Sequence, residues 1–205
     1  MAEGTNDETL RSYRDRVQEY VDRTAHEVTG ASKDWIDAAL SGLPASARVL
    51  ELGSAFGRDA AYMAAKGYRV ECTDAVPEFV ERLRESGFNA RPFNALTDEL
   101  EAGYDLILAN AVLLHFSRDE FARVLGKLRR SLGDGGRFAF SLKRGRGEEW
   151  SRMKLGAPRF FCYWEPHQLE APLREAGFAS WSVNEALTGR VHAEWLYVIA
   201  TAPKA

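Results

Sequence analysis

Short apolar runs alternate along the chain with longer stretches whose apolar residues recur at helical spacing. The short runs are typical of strands and the longer stretches of helices. Strands are predicted at 48–52, 69–73, 89–93, 104–109 and 137–142. Helices are predicted between and after them, at 59–66, 77–86, 117–132 and 166–176. This alternation indicates an α/β protein with a mostly parallel, doubly wound sheet that has helices on both faces.

The two ends of the chain depart from this alternation. Apolar residues with helical spacing precede the first strand and predict one helix over 8–29 and a second over 32–40. After the last helix, the runs 178–186 and 191–201 predict a closing antiparallel hairpin that turns near Gly189. The sheet is therefore expected to have a helical prefix and an antiparallel end.

Length and composition narrow the class of protein. The 205 residues suffice for one domain with a substantial core, so 1–205 is expected to be a single domain. A net charge of −3 gives no overall attraction to nucleic acid or anionic membranes. Cys72 and Cys162 have neither disulfide nor zinc spacing, and no metal site is predicted. The polar N-terminus and the lack of a long apolar segment predict a soluble, cytoplasmic protein.

Residues 49–74 combine a strand, a glycine-bearing turn, a helix and a second strand. Gly53 and Gly57 let the backbone of the turn approach a ligand, and the helix start offers free N–H groups. Asp74 ends the second strand, where a carboxylate can bind both hydroxyls of a ribose. Glu51 lies in a strand that should be apolar, so its charge is costly without a partner. A ligand that carries an ammonium group would supply that partner.

These residues resemble motif I and the following acidic motif of class I S-adenosylmethionine (SAM) dependent methyltransferases. The match runs from Glu51 to Asp59 and continues at Asp74, with Ala55 in the place of the middle glycine. The resemblance implies a Rossmann-like, seven-stranded, mostly parallel sheet whose last strand is antiparallel. It also implies SAM as the cofactor, S-adenosylhomocysteine as its product, and a helical prefix (1–45) that acts as a lid over SAM.

The resemblance further implies which residues hold SAM. In the family the glycine turn passes under the methionine part of SAM, and the residue that matches Asp74 holds the ribose. A polar residue at the position of Asn94 contacts the adenine amino group, and a prefix tyrosine, here Tyr13 or Tyr20, closes over SAM. Asp59 is expected to cap the following helix or to lie in its first turn, and Arg58 is placed to pair with the SAM carboxylate. The predicted cofactor-binding set is Glu51, Gly53, Ser54, Ala55, Gly57, Arg58, Asp74, Ala75, Asn94, Ala95, Asn110 and Tyr20.

The predicted catalytic residues come from two segments. His115 closes a segment that resembles the motif bordering the methyl-transfer site, where it would orient the acceptor or take its proton. The structural alternative is a packed, hydrogen-bonded histidine. Segment 143–164, predicted as an insertion on the substrate side, mixes six Lys or Arg with five aromatic residues. It supplies Glu149 and Tyr163 as further catalytic candidates, although a hairpin that packs its aromatic rings on the core would explain the same composition.

These patterns predict transfer of the SAM methyl group to an oxygen or nitrogen atom of a small-molecule acceptor. The rings and cations of 143–164 suit an acceptor that carries a carboxylate or phosphate. The alternative is an RNA (tRNA) methyltransferase that grips nucleic acid with the same segment, against which the mild acidity of the chain counts. A second alternative is a non-catalytic SAM-binding protein. A nicotinamide dehydrogenase is disfavoured by Ala55 and the helical prefix.

Overall fold

The computed structural model describes residues 4–188 and 193–204. The strands are β1 (Val49–Leu52), β2 (Val70–Asp74), β3 (Asn89–Pro92), β4 (Tyr104–Ala109), β5 (Leu132–Lys143), β6 (Glu148–Ser151), β7 (Arg159–Cys162), β8 (Ser180–Thr188) and β9 (Ala193–Thr201). The α-helices are α1 (Thr5–Arg14), α2 (Val17–Asp22), α3 (Gly30–Leu40), α4 (Arg58–Ala65), α5 (Pro77–Glu85), α6 (Arg118–Ser131) and α7 (Glu170–Glu175). Two 3-10 helices cover Leu113–His115 and Pro166–Leu169.

Seven of the strands form one sheet in the order β3-β2-β1-β4-β5-β9-β8. The first five are parallel, and β9 runs antiparallel to both β5 and β8. This confirms the predicted Rossmann-like sheet, its antiparallel last strand and its helical prefix. Because parallel strands end at the same edge, the loops after β1, β2, β3 and β4 meet there. The strands β6 and β7 form a separate two-stranded hairpin.

Both faces of this sheet carry buried side chains. Successive residues of a strand point to opposite faces, so each strand contributes to both. In β1, Val49 packs with the apolar faces of α3, α4 and α5, whereas Leu50 packs on the side of α6 and α7. Both residues are almost fully buried. The apolar alternation therefore reflects a sheet packed on two sides, as expected for a doubly wound fold.

The helical prefix differs from its predicted form. The single helix predicted over 8–29 is two helices, α1 and α2, separated between Arg14 and Val17. Neither proline nor glycine lies at this break, so the local sequence does not signal it. Gly30 begins α3 instead of ending the preceding helix, and Ser32, in the first turn of α3, donates from Oγ to the Thr29 carbonyl (2.9 Å).

Three further elements refine the prediction. α6 begins with a capping box, in which Ser117 Oγ accepts from the Glu120 amide and the Glu120 carboxylate accepts from the Ser117 amide. β5 begins at Leu132, ahead of the predicted 137, and its pairing with β4 is irregular before Arg137. The helix predicted over 166–176 divides into a 3-10 turn and α7, since Pro172 lacks an N–H and fits only the first turn of a helix.

The closing hairpin is confirmed as the antiparallel pair β8 and β9. Its predicted turn at Gly189 lies outside the described residues. Within the described part of the chain, no helix is both long and apolar enough to cross a membrane.

Candidate active site

A cleft opens at the sheet edge where β1, β2 and β4 end, beneath α1. It is lined by Asn6, Thr9, Leu10, Tyr13, Tyr20, Leu52, Gly53, Ala55, Asp74, Ala75, Val76, Phe79, Phe93, Asn94, Ala95, Asn110, Ala111, Val112, His115 and Phe116. Most of the lining is apolar, and the polar groups come from the strand ends, from α1 and α2, and from the 3-10 helix that ends at His115. An apolar cleft with a few converging polar groups is typical of a small-molecule site.

The turn after β1 brings backbone close to this cleft. Gly53 has φ +63°, and a Cβ there would lie 2.5 Å from Val112 Cγ2, so this position accepts only glycine. Ala55 has φ +49° and Ala111 has φ +59°, in the left-handed region of backbone conformation that residues other than glycine rarely adopt. Both alanines line the cleft. Backbone held in this region indicates a functional site, because its cost of ~1–3 kcal/mol must be offset elsewhere.

Asp74 lies at the end of β2 and fastens the turn to that strand. Its Oδ2 accepts from the Ala55 amide and its Oδ1 from the Val76 amide, both at 2.9 Å. Burial raises the pKa of Asp74 to about 6, against the lowering effect of these amide hydrogen bonds. The carboxylate therefore lies in the cleft, held by backbone from both neighbouring loops.

Glu51 is 3% exposed, and its Oε2 has no hydrogen-bond partner among the described residues. Burial first, and then the nearby Asp59, raise the pKa of Glu51 to about 8. A buried carboxylate without a partner is costly. Its environment accordingly favours a cationic group beside it.

Asp59, in the first turn of α4, organises a buried polar network. Arg58 Nε and Asn110 Nδ2 each donate to one of its carboxylate oxygens, at 2.7 Å. Ser141 Oγ donates to Asn110 Oδ1 (2.6 Å) and accepts from the Ala111 amide (2.8 Å). The network holds the loop after β4 against β5 and the start of α4. The Arg58 guanidinium is therefore paired with its neighbour.

The loop after β3 contacts the prefix. Asn94 Oδ1 accepts from the Leu96 amide (3.0 Å), and its Nδ2 donates to Asn6 Oδ1 on α1 (3.2 Å). Asn94 and Ala95 both line the cleft. The side chain of Asn94 thus joins α1 to the strand end, so that α1 covers this part of the cleft.

His115 is buried and bonded through both ring nitrogens. Its Nδ1 lies 2.6 Å from the Phe160 carbonyl, which only accepts, so Nδ1 carries the proton. The Nε2 atom then accepts from the Tyr13 hydroxyl (2.8 Å), and Arg159 Nη1 donates to the Tyr13 oxygen (3.1 Å). Burial lowers the pKa of His115 to about 3, which keeps the ring neutral at physiological pH.

Glu149 and Tyr163 lie on the hairpin side, and neither lines the cleft. The Tyr163 hydroxyl donates to Glu149 Oε1 at 2.5 Å. Burial, followed by this hydrogen bond, raises the pKa of Tyr163, so its hydroxyl keeps its proton. The aromatic residues of 143–164 divide: Phe160, Phe161 and Trp164 are buried, whereas Trp150 is exposed. Part of that segment therefore packs on the core, as its structural alternative expects.

The cleft brings together much of the predicted set. The predicted residues that line it are Gly53, Ala55, Asp74, Ala75, Asn94, Ala95, Asn110, Tyr20 and His115. Glu51, Ser54, Gly57 and Arg58 adjoin the same turn without being part of that lining. The sequence did not indicate Arg159 as a neighbour of the site, and it predicted for Asp59 only a helix cap or a first-turn position, the second of which the structure confirms. Adjacency to Arg58 was a signal for Asp59, whereas nothing in the sequence links Arg159 to Tyr13.

The chemistry of the cleft fits SAM, whose bound form carries an ammonium group and a ribose. An ammonium group would meet the unpaired carboxylate oxygen of Glu51 next to the cleft, and ribose hydroxyls would meet the carboxylate of Asp74 in the cleft wall. Tyr20 and Phe79 lie in edge-to-face contact, with centroids 5.6 Å apart, and both contribute to the apolar wall. These features fit a nucleoside better than a highly charged ligand.

Comparison with known proteins also indicates a protein that binds SAM. The profile of a family described as "Methyltransferase domain" matches residues 23–183. No curated protein matches the sequence. A Burkholderia thailandensis 1,6-didemethyltoxoflavin-N1-methyltransferase, solved with its substrate and S-adenosylhomocysteine, is 24% identical with a TM-score of 0.72 over 95% of this chain and 85% of its own.

Two other solved structures share the fold. A Haemonchus contortus phosphoethanolamine N-methyltransferase 2 in complex with SAM is 12% identical, with a TM-score of 0.75 over 99% of this chain. This chain spans only 61% of that enzyme. The DhpI-SAM-HEP complex is 21% identical, with a TM-score of 0.73 over 98% of this chain and 99% of its own. From the family match, which covers most of the chain, and from the site described above, the chain belongs to the methyltransferase domain family and is a class I SAM-dependent methyltransferase.

Proposed function

We propose that this enzyme transfers the methyl group of SAM to an oxygen or nitrogen atom of a small-molecule acceptor bound in the cleft beneath α1. The observation that carries the proposal is the neutral His115–Tyr13 pair, which presents a hydroxyl and an imidazole at the wall of a mostly apolar cleft. Two proteins of similar structure are named as N-methyltransferases of small molecules, 1,6-didemethyltoxoflavin and phosphoethanolamine.

The residues around the turn after β1 would hold the cofactor. Glu51 would pair with the ammonium group of SAM, Asp74 would accept from the ribose hydroxyls, and Asn94 and Ala95 would contact the adenine. Arg58 donates to Asp59 through Nε, and its Nη groups would donate to the SAM carboxylate. When bound, SAM supplies a methyl group that its sulfonium already activates. The protein's own task is therefore mainly to align the acceptor and to exclude water.

His115 fits an orienting role better than a proton-accepting one. Its Nδ1–H is fixed by the Phe160 carbonyl, and a pKa of about 3 makes Nε2 a weak base. The ring orients the Tyr13 hydroxyl, which would in turn position the acceptor. This arrangement suits acceptor atoms that are already nucleophilic, such as a neutral amine. Glu149 and Tyr163 remain proposals as catalytic groups, which would require the hairpin to bring them closer to the cleft.

A metabolite screen tests the proposal. The full chain is incubated with SAM and with panels of small amines, alcohols and phenols, and release of S-adenosylhomocysteine is measured, with tRNA as a separate arm. We expect release with a small molecule and none with tRNA. The Asp74→Ala variant serves as the negative control, because it should lose SAM binding in calorimetry. Release of S-adenosylhomocysteine in the tRNA arm alone, or no release with any acceptor tested, would overturn the proposal.

A further inference from the structure

Three cations lie over aromatic rings in or next to the cleft wall, and together they are called here the cation cluster: Lys143, Lys154 and Arg159. Arg159 is only 6% exposed, and its Nε is buried with no hydrogen-bond partner. Among the described residues, no carboxylate lies within 4.0 Å of a charged atom of any of the three. A buried guanidinium without a counter-ion is costly, so this arrangement indicates a missing anion.

Aromatic rings connect the cluster to the cleft. The Arg159 guanidinium lies 5.0 Å from the centre of the Phe161 ring, and Lys143 Nζ lies 4.5 Å from the same ring. That ring is 4.8 Å from His115, which lines the cleft. Arg159 Nη1 also donates directly to the Tyr13 hydroxyl (3.1 Å). Arg159 therefore contacts a residue that would position the acceptor, and Lys143 is one side chain away from another.

Lys154 joins the cluster from the loop between β6 and β7. Its Nζ lies 4.1 Å from the centre of the Tyr20 ring and donates to Thr24 Oγ1 (2.5 Å). Burial first, and then repulsion from Arg159, Arg58 and Lys143, lower the pKa of Lys154 to about 8. The positive charges thus act on one another across a partly desolvated space. The acid whose charge acts on Lys143 is Glu149, which is hydrogen-bonded to Tyr163.

We propose that the cation cluster is an anion subsite that holds a carboxylate or phosphate group of the acceptor, with Arg159 as its principal ligand. Guanidinium binds both groups through paired hydrogen bonds, and the two lysines add charge. An acceptor anchored there would extend past Tyr13 toward the loop after β4. This inference rests on the proposed function, and it names the acceptor as an anionic small molecule instead of a neutral one.

Binding of simple anions tests the subsite without knowledge of the acceptor. The full chain, saturated with S-adenosylhomocysteine, is titrated calorimetrically with inorganic phosphate, with acetate and with uncharged acetamide. We expect binding of phosphate, of acetate or of both, and none of acetamide. The anion that binds with the higher affinity indicates whether the acceptor carries a phosphate or a carboxylate. Because the assay needs no turnover, failure of the proposed methyl transfer would leave its result intact, and failure of the subsite would leave SAM-dependent turnover intact.

Charge-removing variants locate the site. Arg159→Gln and Lys154→Gln should each weaken anion binding by about tenfold or more, as expected for loss of one charged hydrogen bond. Arg152→Gln, which removes one charge from the exposed start of the same loop, should leave the affinity unchanged. Retained affinity for S-adenosylhomocysteine shows that each variant is folded, and Lys154→Gln carries the test if the buried arginine proves necessary for folding. Absence of anion binding by the wild type, or equal losses in all three variants, would overturn the proposal.

Discussion

At the scale of single residues, Glu51 combines deep burial with an unpaired carboxylate oxygen. Its pKa of about 8 lies above the ordinary 4.5, so the folded protein holds a proton that the unfolded chain releases within that range. The stabilising contribution of the protonated group is therefore complete below pH 4.5 and is lost as the pH rises through 8. A ligand cation that pairs with the ionised Glu51 would offset this loss.

The first prediction follows for Glu51→Gln, which cannot ionise. The ligand-free variant should melt about 2–4 °C above the wild type at alkaline pH, for a gain of ~1 kcal/mol, with a smaller difference at pH 5. Scanning calorimetry at the two pH values measures this. Glu101→Gln, at a position whose side chain is 85% exposed, is the matched control and should show no such trend. A pH-independent difference for Glu51→Gln would contradict the assigned cause.

The second prediction concerns the Tyr13 hydroxyl. Tyr13→Phe leaves His115 Nε2 and Arg159 Nη1 without this partner and should cost about 1–3 kcal/mol of stability. It should also lower kcat by about tenfold or more while the KM for SAM changes little, because the hydroxyl positions the acceptor. Tyr62→Phe removes a hydroxyl that donates to Asp37 (2.7 Å) away from the cleft, and only its stability should fall. Steady-state kinetics and melting curves distinguish the two variants, and equal effects on kcat would refute the role of Tyr13.

At the scale of elements, the important contact is between α1 and the β6–β7 hairpin. Thr9 Oγ1 accepts from the buried Phe160 amide (3.0 Å), and Ser12 Oγ donates to the Pro158 carbonyl (2.6 Å). One end of α1 contacts Asn94 and the other reaches His115 through Tyr13. The hairpin, far from the prefix in sequence, thus holds in place the helix α1, whose residues line the cleft.

The third prediction tests this docking. Thr9→Val keeps the side-chain shape but removes the acceptor, so the Phe160 amide should exchange with deuterium about tenfold or more faster, along with its neighbours in β7. Exchange in β1 and β4 should be unchanged. Ser86→Ala, which removes a hydroxyl bonded at the exposed end of α5, is the control and should leave β7 protected. Uniformly faster exchange after Thr9→Val would mean that the whole fold, not this contact, had been weakened.

At the scale of the whole molecule, the cleft is built from parts of the chain that fold around one sheet. A ligand that ties the turn after β1 to the ends of β2 and β3 should therefore stabilise the entire structure. The fourth prediction is that SAM or S-adenosylhomocysteine at 100 times its Kd raises the Tm by about 5–10 °C, from ~2.7 kcal/mol of linkage. NAD at the same concentration should cause no rise. A comparable shift with NAD, measured by scanning fluorimetry, would contradict the nucleoside specificity.

Local patterns predicted much of this architecture. The strands of the parallel part of the sheet, Pro77 at the start of α5 and the capping box of α6 all depend on interactions between near neighbours in sequence. The turn between β1 and α4 and Asp74 at the end of β2 are also local features, so this part of the candidate site could be predicted from the sequence. The break between α1 and α2 was not, because tertiary contacts of Tyr13 and Tyr20 direct the two helices to different partners.

The sequence by itself determined the order of strands and helices and the family, because periodicity, capping and a glycine turn are properties of short segments. Only the tertiary structure decided which charges are buried and which groups meet. Arg159 donates to Tyr13 across 146 residues, and Glu51 is left without a partner only once the sheet is packed on both faces. Burial and long-range pairing depend on the closed fold, and the proposed choice of acceptor depends on both.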